Sequence, residues 1–191
     1  RFENLSRTSL FLPVLLPTVA VSIIFGYVLG DKYGLLNRLL RMVGITGPSW
    51  LRDPKVAMLS LILINTWRWT GYNMVYFLAG LQSVPKELEE AALIDGASAW
   101  QKTLYVTIPL LKPVIAFVLI TSFIGSFQEF DMPYLLTEGG PSYRTLTIAL
   151  YLYRTAFTTF NVGYGSTLAY AITLIALTVS LIQLRLFESE K

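Results

Sequence analysis

Three polar residues recur about one helical turn apart in an otherwise apolar stretch of the sequence. Asn65, Arg68 and Tyr72 lie within the apolar run 56–81, and Trp69 follows Arg68 directly. Residues three or four apart share one face of a helix, so these side chains should converge on one surface. Amide, guanidinium and phenol groups can bind the hydroxyl edges of a solute, while aromatic rings cover its apolar faces. The pattern therefore indicates a binding path for a hydroxylated solute.

A second polar group lies at the end of a later apolar run. Ser126 and Glu129 are three residues apart, Gly125 precedes them and Asp131 follows. Together with the first group they could line one path for a sugar. The alternative is structural: Arg68 would pair with Glu129 or Asp131 to neutralise buried charge. An arginine at the bilayer centre costs about 2.5–3.5 kcal/mol on insertion scales, which makes either explanation reasonable.

The composition excludes several kinds of catalytic site. The chain has no Cys and no His, so disulfides, Cys/His zinc sites and nucleophile systems that need His are ruled out. The sequence also lacks a Gly-x-x-x-x-Gly-Lys-Ser/Thr phosphate loop. We therefore predict no catalytic residue, no metal and no cofactor. The net charge of +3 is too mild to indicate a nucleic-acid partner.

The chain has the composition of a membrane protein. Of its 191 residues, 54% are hydrophobic and 14% are charged, whereas an average soluble domain carries about a quarter charged residues. Because about 20 apolar residues span a bilayer core, the hydropathy pattern predicts four helical spans. These are residues 9–30, 56–81, 108–128 and 162–184. The predicted fold is an all-α transmembrane helical bundle, a single domain over residues 1–191. Lys and Arg are equally numerous on its two faces, so charge does not orient it.

A polar loop, residues 83–109, separates the second and third spans. Its sequence predicts two short helices joined at Gly96, because glycine tolerates the left-handed conformation that ends helices. Ser98, with Gln101 three residues later, predicts a capping box that starts the second helix. Pro109 should end that helix. Taken by itself, the loop has two interpretations: a surface for a partner, or an ordinary amphipathic segment that solvates its charges.

This loop resembles the cytoplasmic loop of the permease subunits of binding-protein-dependent ABC importers. The pattern of that family is Glu-Ala-Ala, three residues, Gly, nine residues, Ile, one residue and Leu-Pro. The matching positions are Glu90, Ala91, Ala92, Gly96 and Pro109, with Val106 and Ile108 as conservative departures. Similarity to the sugar-importing, maltose-type branch covers nearly the whole chain, including the stretch from Leu135 to Pro141.

The resemblance implies the type I ABC importer permease fold and a set of partners. These are ABC ATPase subunits, a second permease subunit, an extracytoplasmic solute-binding protein and a sugar, in a bacterial or archaeal inner membrane. The loop would dock on the ATPase through Glu90, Ala91, Ala92, Asp95 and Gly96. The small alanines would permit close approach, the acids would anchor basic groups, and the glycine would allow the turn. Family members have two more spans before the point that matches Arg1, so we expect an N-terminally incomplete chain.

The resemblance also implies a substrate site near the centre of the membrane. By alignment, its positions fall on Asn65, Arg68, Trp69, Tyr72, Gly125, Ser126 and Glu129. Asn65 and Tyr72 keep the residue type of the maltose-type branch, whereas several of the others depart from it, which leaves the particular sugar open. Two other functions remain possible. The chain could be half of an ion-coupled secondary transporter that uses Arg68, Glu129 and Asp131, or a non-transporting membrane scaffold.

Overall fold

The computed structural model describes residues 2–188, and the side chains of residues 7–186. The charged ends at Arg1 and at residues 189–191 lie outside the described part. Within that part the chain is helical and has no strand, as predicted. The α-helices are α1 (Phe2–Leu15), α2 (Thr18–Val28), α3 (Leu35–Met42), α4 (Ala57–Gln82), α5 (Lys86–Ile94), α6 (Ala99–Lys102), α7 (Ile108–Gln128), α8 (Ile148–Tyr153) and α9 (Val162–Glu188). Three π-helical turns span Thr103–Thr107, Pro133–Thr137 and Arg154–Thr158.

Two helical segments of the described chain are long and apolar enough to cross a membrane, Ala99–Thr137 and Val162–Leu186. A third candidate is the bent pair Arg7–Leu15 and Thr18–Val28. The sequence predicts α4 as a further span, but this helix does not reach the same apolarity. Its 26 residues include the polar and aromatic group around Arg68, as expected of a helix that does not face lipid all round.

The predicted first span is not one straight helix. α1 ends at Leu15, and α2 begins at Thr18, directly after Pro17. Proline has no N–H for the helical ladder, and it disfavours the helical conformation in the residue before it, here Leu16. The two helices are therefore bent by 104° at this break. The predicted span 9–30 is therefore interrupted at Leu16 and Pro17.

The chain divides into two compact units, each of which contains parts distant in sequence. The first comprises residues 1–71 and 125–174, and the second comprises residues 72–124 and 175–191. The first unit has a buried apolar core in which Val21 of α2 packs with Leu61 and Ile64 of α4 and with Met132. This core joins α2 and α4 to the segment that leads into the turn Pro133–Thr137.

Asn37 organises the loop between α2 and α4 in the first unit. Its buried amide donates to the carbonyl oxygens of Asp31 at 3.0 Å and Pro48 at 3.2 Å. Its Oδ1 accepts a hydrogen bond from Trp50 Nε1 at 2.8 Å. Both amide protons and the oxygen are thus used, and a fully satisfied buried amide fixes the segments that it joins. Asn37 thus holds both parts of the loop against α3, and Arg41 adds a hydrogen bond to the Lys32 carbonyl oxygen.

In the first unit, α4 approaches the backbone of α1 at Gly71. A Cβ at this position would overlap the carbonyl group of Leu10, so the approach requires glycine. We expect Gly71→Ala to lose about 1–3 kcal/mol of stability through overpacking, and its melting temperature in detergent to fall by several degrees. The matched control is Gly163→Ala, where a Cβ would meet open space. Equal melting temperatures would contradict this close approach of helices.

In the second unit, α4 and α7 pack side by side. A Cβ at Gly80 would lie 2.8 Å from Val114 Cγ2 and 2.9 Å from Leu111 Cδ2, so glycine again permits the approach. The rings of Tyr76 and Phe117 are 4.9 Å apart between their centroids. These contacts position the two ends of the polar loop that joins α4 to α7.

Candidate functional site

α5 ends in a glycine-dependent turn, as the sequence predicts. Gly96 has a φ of 83°, and its N–H donates to the Leu93 carbonyl at 3.1 Å. The N–H of Ala97 donates to the Ala92 carbonyl at 3.0 Å. This pair of bonds is a Schellman motif, which satisfies carbonyl groups at the C-terminus of a helix. A Cβ at Gly96 would meet nothing within 4 Å, so glycine is needed for its backbone conformation and not for space.

The second short helix of the loop begins with the predicted capping box. The Gln101 N–H donates to Ser98 Oγ at 3.3 Å, and the Ser98 N–H donates to Gln101 Oε1 at 2.8 Å. Two backbone donors that no helical carbonyl could satisfy are paired in this way. The sequence of α6 itself therefore fixes where this helix begins, at Ala99, three residues after Gly96.

The prediction that Pro109 ends this second helix is wrong. α6 continues through the π-helical turn Thr103–Thr107 into α7, so the helix extends past Pro109, from Ala99 to Gln128. The Ile108 N–H bonds to the Thr103 carbonyl, five residues earlier. A π-helical turn is wider than an α-helical one, and it lies where the proline ring would otherwise meet the preceding turn. The loop is consequently joined to α7 without a break in the helix.

Glu89 connects the two helices of the loop, a role that the sequence analysis missed. Its Oε2 accepts from Lys102 Nζ at 3.1 Å, and its Oε1 accepts from the Thr107 hydroxyl at 3.4 Å. The ion pair is half-buried, with side-chain exposures of 32% for Glu89 and 23% for Lys102, so solvent screens it less than an exposed pair. We call residues 86–107 the hairpin. Glu89 faces its inside, while the neighbouring Glu90 is exposed.

The outer surface of the hairpin is unusually apolar for a polar loop. Ile94 is 86% exposed and Trp100 is 72% exposed, and Leu93 is also exposed. Among the predicted coupling residues, Glu90, Ala91, Asp95 and Gly96 are exposed and Ala92 is half-buried. Large exposed apolar side chains rimmed by charges mark surfaces that bind a partner. The hairpin thus presents a small, charged and apolar face on a braced support.

The Glu89 brace can be tested by hydrogen exchange. We expect Glu89→Gln to speed amide exchange in residues 86–107 by about two- to fivefold, because it removes an ion pair that contributes about 0.5–1 kcal/mol. Glu90→Gln is the matched control, since its side chain is exposed and it should leave exchange unchanged. Equal exchange rates in the wild type and Glu89→Gln would show that the ion pair does not hold the hairpin.

In α4, two polar atoms of the predicted substrate group are buried without a hydrogen-bond partner. These atoms are Asn65 Oδ1 and Arg68 Nε. The guanidinium carbon of Arg68 lies 5.6 Å from the centroid of the Trp69 ring, within the range of a cation–π contact. Buried polar atoms normally have partners. The pair is therefore a candidate for binding the hydroxyl groups of a solute.

The structural alternative for Arg68 is not realised in the described part of the chain. Arg68 forms no ion pair with Glu129 or Asp131 there. Instead, a carboxylate oxygen of Glu129 accepts from the Met132 N–H at 3.4 Å. Glu129 thereby caps the short helical segment that follows it.

The remaining predicted substrate residues fall in different places. Gly125 is next to open space, and Ser126 is exposed on the last turn of α7. Both belong to the first unit, together with Asn65, Arg68, Trp69 and Glu129. Tyr72 belongs to the second unit, where its hydroxyl is 2.7 Å from that of Tyr76. In the described part of the chain, no cluster of acidic residues could hold a metal ion.

The sequence of residues 1–187 matches a family described as binding-protein-dependent transport system inner membrane component. This chain belongs to that family. It is therefore a helical membrane protein of the transport class and not an enzyme, as the sequence predicts.

Individual relatives agree with this family. The chain is 40% identical to the arabinooligosaccharides transport system permease protein of Bacillus subtilis, over 100% of this chain and 62% of that protein. It is 43% identical to the lactose transport system permease protein of Rhizobium radiobacter, over 96% and 63%. A bacterial alginate ABC transporter, solved with an alginate pentasaccharide-bound periplasmic protein, superposes with a TM-score of 0.86 at 25% identity. That comparison covers 95% of this chain and 64% of the transporter chain. The chain thus spans less than two thirds of the length of these relatives.

Proposed function

We propose that this chain is the membrane-spanning permease core of an ATP-driven importer that translocates a carbohydrate by alternating access. Four spans, including α4, would cross a bacterial or archaeal inner membrane. Two ABC ATPase subunits would hydrolyse ATP, a second permease would complete the pathway, and an extracytoplasmic binding protein would deliver the sugar. Membership of the family and relatives named for the transport of arabinooligosaccharides and lactose support this proposal.

The observation that carries the proposal is the exposed apolar face on a braced hairpin. Ile94 and Trp100 project from a loop whose two helices are tied by Glu89. A loop that only solvated its charges would have no reason to expose these side chains or to be held rigid. A rigid, partly apolar protrusion fits a cleft in a partner and can transmit its movement. The Glu90, Ala91, Ala92, Asp95 and Gly96 positions would form the contact with the ATPase.

Coupling to the membrane follows from the continuity of the hairpin with α7. Because α6 continues through the turn Thr103–Thr107 into α7, a displacement of α6 by the ATPase would move α7 as well. Gly125 and Ser126 lie in the last turn of α7, and Glu129 follows directly after it. α7 would thus carry a movement of the hairpin into the membrane region.

The substrate site would be formed by the two polar groups of the membrane region. Asn65 Oδ1 and Arg68 Nε lack partners and would bind sugar hydroxyl groups, while Trp69 would cover an apolar ring face. Tyr72, Gly125, Ser126 and Glu129 would complete the path. Arg68 would serve as a donor to the sugar, since it forms no direct ion pair with Glu129 or Asp131.

Reconstitution with the cognate ATPase and binding protein tests this function. The complete importer is placed in lipid nanodiscs, and ATP hydrolysis is measured while lactose, arabinotriose, maltose and other sugars are supplied with the binding protein. We expect one sugar class to raise hydrolysis above the rate seen with the empty binding protein. If amino acids, peptides or ions stimulate hydrolysis and no sugar does, the carbohydrate assignment is wrong.

A further inference from the structure

α3 lies just beyond the end of the candidate span that includes α2. Six residues connect Val28, the last residue of α2, to Leu35, the first residue of α3. Backbone hydrogen bonds fold this connection tightly, from the Gly34 N–H to the Gly30 carbonyl at 3.1 Å and from the Arg38 N–H to the Gly34 carbonyl at 3.0 Å. A Cβ at Gly34 would overlap the backbone of Gly30. α3 is therefore fixed close to the point where a span that contains α2 leaves the bilayer.

One side of α3 packs against the protein. Leu36 packs against the buried core of the first unit, and the buried Asn37 is hydrogen-bonded through both the nitrogen and the oxygen of its amide. Leu40 contacts the loop at Gly47, where a Cβ would lie 2.8 Å from Leu40 Cδ1. Residues three or four apart share a face of a helix, so these side chains define the inner side of α3. The helix is thus held in one orientation.

Another side of α3 is apolar and exposed. Leu35, Leu39 and Met42 are three or four residues apart, so they form one stripe, and each side chain is more than half exposed. Tyr33, just before the helix, is 93% exposed. A contiguous apolar surface of this kind, outside the candidate spans, marks a site that contacts a membrane or a partner.

Cationic side chains border the apolar stripe. Lys32 and Arg38 are exposed, and neither forms an ion pair within the described residues. Arg41 is used internally, since its guanidinium donates to the carbonyl oxygens of Asn37 and Lys32. Residues 31–55 contain five basic and two acidic side chains, so their net charge of +3 equals that of the whole chain. The surface beside the stripe therefore attracts anions.

We propose that α3 is an interfacial anchor that binds anionic phospholipid on the extracytoplasmic side of the membrane. Its apolar stripe would enter the boundary between headgroups and acyl chains, as amphipathic helices with basic residues do. Lys32 and Arg38 would contact lipid phosphate groups, and Tyr33 would lie among the headgroups, where tyrosine is enriched. The exposed cations favour an anionic lipid, and the adjoining end of α2 favours the bilayer over another protein. The side of the membrane rests on the proposed function, in which α4 spans the bilayer between α3 and the hairpin.

The anchor has a direct connection to the start of α4. Trp50 Nε1 donates to Asn37 Oδ1 at 2.8 Å, and the Trp50 carbonyl oxygen accepts from the Ser60 hydroxyl at 2.8 Å. These bonds join α3 to the first turns of α4 within the first unit. Lipid bound at α3 would therefore fix the depth at which α4, the helix that carries Arg68, enters the membrane.

A fluorescent probe on the apolar stripe tests the contact with lipid, because the chain has no Cys of its own. Leu39→Cys carries a bimane label in the complete importer, reconstituted in nanodiscs of phosphatidylcholine and phosphatidylglycerol. We expect strong quenching by a nitroxide placed high on a lipid acyl chain and weak quenching by iodide in water. Met42→Cys, on the same stripe, takes its place should Leu39→Cys assemble poorly. Glu87→Cys, exposed on the hairpin, is the control and should be quenched little by the nitroxide lipid.

The preference for anionic lipid is measured with the nitroxide carried by phosphatidylglycerol or by phosphatidylcholine in equal amounts. We expect the quenching constant at Leu39→Cys to be about three- to tenfold larger for phosphatidylglycerol, since each basic residue near a membrane surface strengthens the binding of anionic lipid about fivefold. Lys32→Gln combined with Arg38→Gln should bring this ratio close to one. Lys86→Gln removes an exposed cation of the hairpin instead, and it should leave the ratio unchanged.

Three outcomes would overturn the anchor. Quenching by iodide alone would assign the stripe to water, and protection from both quenchers would assign it to a protein partner, such as the second permease or the binding protein. Equal quenching by the two nitroxide lipids would exclude a preference for anionic lipid. ATP-dependent sugar uptake by the same importer tests the proposed function separately. An importer that moves no sugar but shows the expected quenching would keep the anchor and lose the carbohydrate assignment.

Discussion

Gly96→Val should strongly reduce coupled transport while leaving the membrane region folded. Valine at a positive φ costs about 1–3 kcal/mol, and every 1.4 kcal/mol is a factor of ten in an equilibrium. The Schellman turn would therefore open in most molecules, and α5 would lose its fixed direction relative to α6. We expect sugar uptake in proteoliposomes to fall about five- to a hundredfold, while the importer still purifies as a complete assembly.

Gly96→Asn provides the matched control for this change. Asparagine tolerates the left-handed conformation far better than valine, and no neighbour lies within 4 Å of a Cβ at this position. Uptake by Gly96→Asn should consequently stay within about fivefold of the wild type, since its conformational penalty is at most about 1 kcal/mol. Normal uptake by Gly96→Val would show that the turn does not transmit ATP-driven movement. Glu90→Lys, which reverses an exposed charge beside the turn, should also uncouple hydrolysis from transport.

Arg68→Met and Glu129→Gln should each reduce sugar uptake, and combining them should not restore it. A hydrogen bond to a charged group contributes about 1.5–3 kcal/mol, so the loss for Arg68→Met should be about ten- to a hundredfold. Glu129→Gln should have a smaller effect, because an amide oxygen can still accept from the Met132 N–H. Basal ATP hydrolysis and assembly should be unchanged in all three proteins.

The double variant decides between binding and charge neutralisation. If Arg68 only neutralised Glu129, removal of both charges would be tolerated, and uptake would return towards the wild-type level. The structure forms no such ion pair, so we expect sugar uptake by the double variant to stay reduced. Full uptake by the double variant would assign both charges to structure and would move the substrate site elsewhere. Asn65→Ala removes Asn65 Oδ1, the other atom of this polar group that lacks a hydrogen-bond partner, and it is measured in the same uptake assay.

The parts of the hairpin that the sequence predicts are those that depend on neighbours in the chain. The turn at Gly96 and the capping box of Ser98 and Gln101 are each closed within four or five residues, and both are present in the structure. Residue type and spacing carry the necessary information in such cases. The all-α fold follows in the same way, from long apolar runs that only helices can pass through lipid.

Contacts between distant residues could not be predicted in this way. Glu89 pairs with Lys102, 13 residues later, and nothing in its spacing separates it from the exposed Glu90. The helix through Pro109 depends on a π-helical turn that has no reliable sequence signal. A cavity beside Ser22 in the first unit requires α2 and the turn after Thr137 to meet, although more than a hundred residues separate them.

The two rival functions make different demands on the same residues. An ion-coupled secondary transporter would need Arg68, Glu129 and Asp131 as ion-binding groups, and it would need no exposed docking hairpin. A scaffold would need neither the hairpin nor the buried partnerless atoms of Asn65 and Arg68. The proposed importer uses both features, and the family of the chain agrees with it.

Uptake of a labelled sugar into proteoliposomes tests the central claim most directly. The complete importer is reconstituted with its ATPase and binding protein, and uptake is followed with ATP enclosed on the ATPase side or with a sodium or proton gradient alone. The account predicts accumulation that requires ATP and the binding protein, with no uptake driven by either gradient. Accumulation driven by a gradient in the absence of ATP would contradict it.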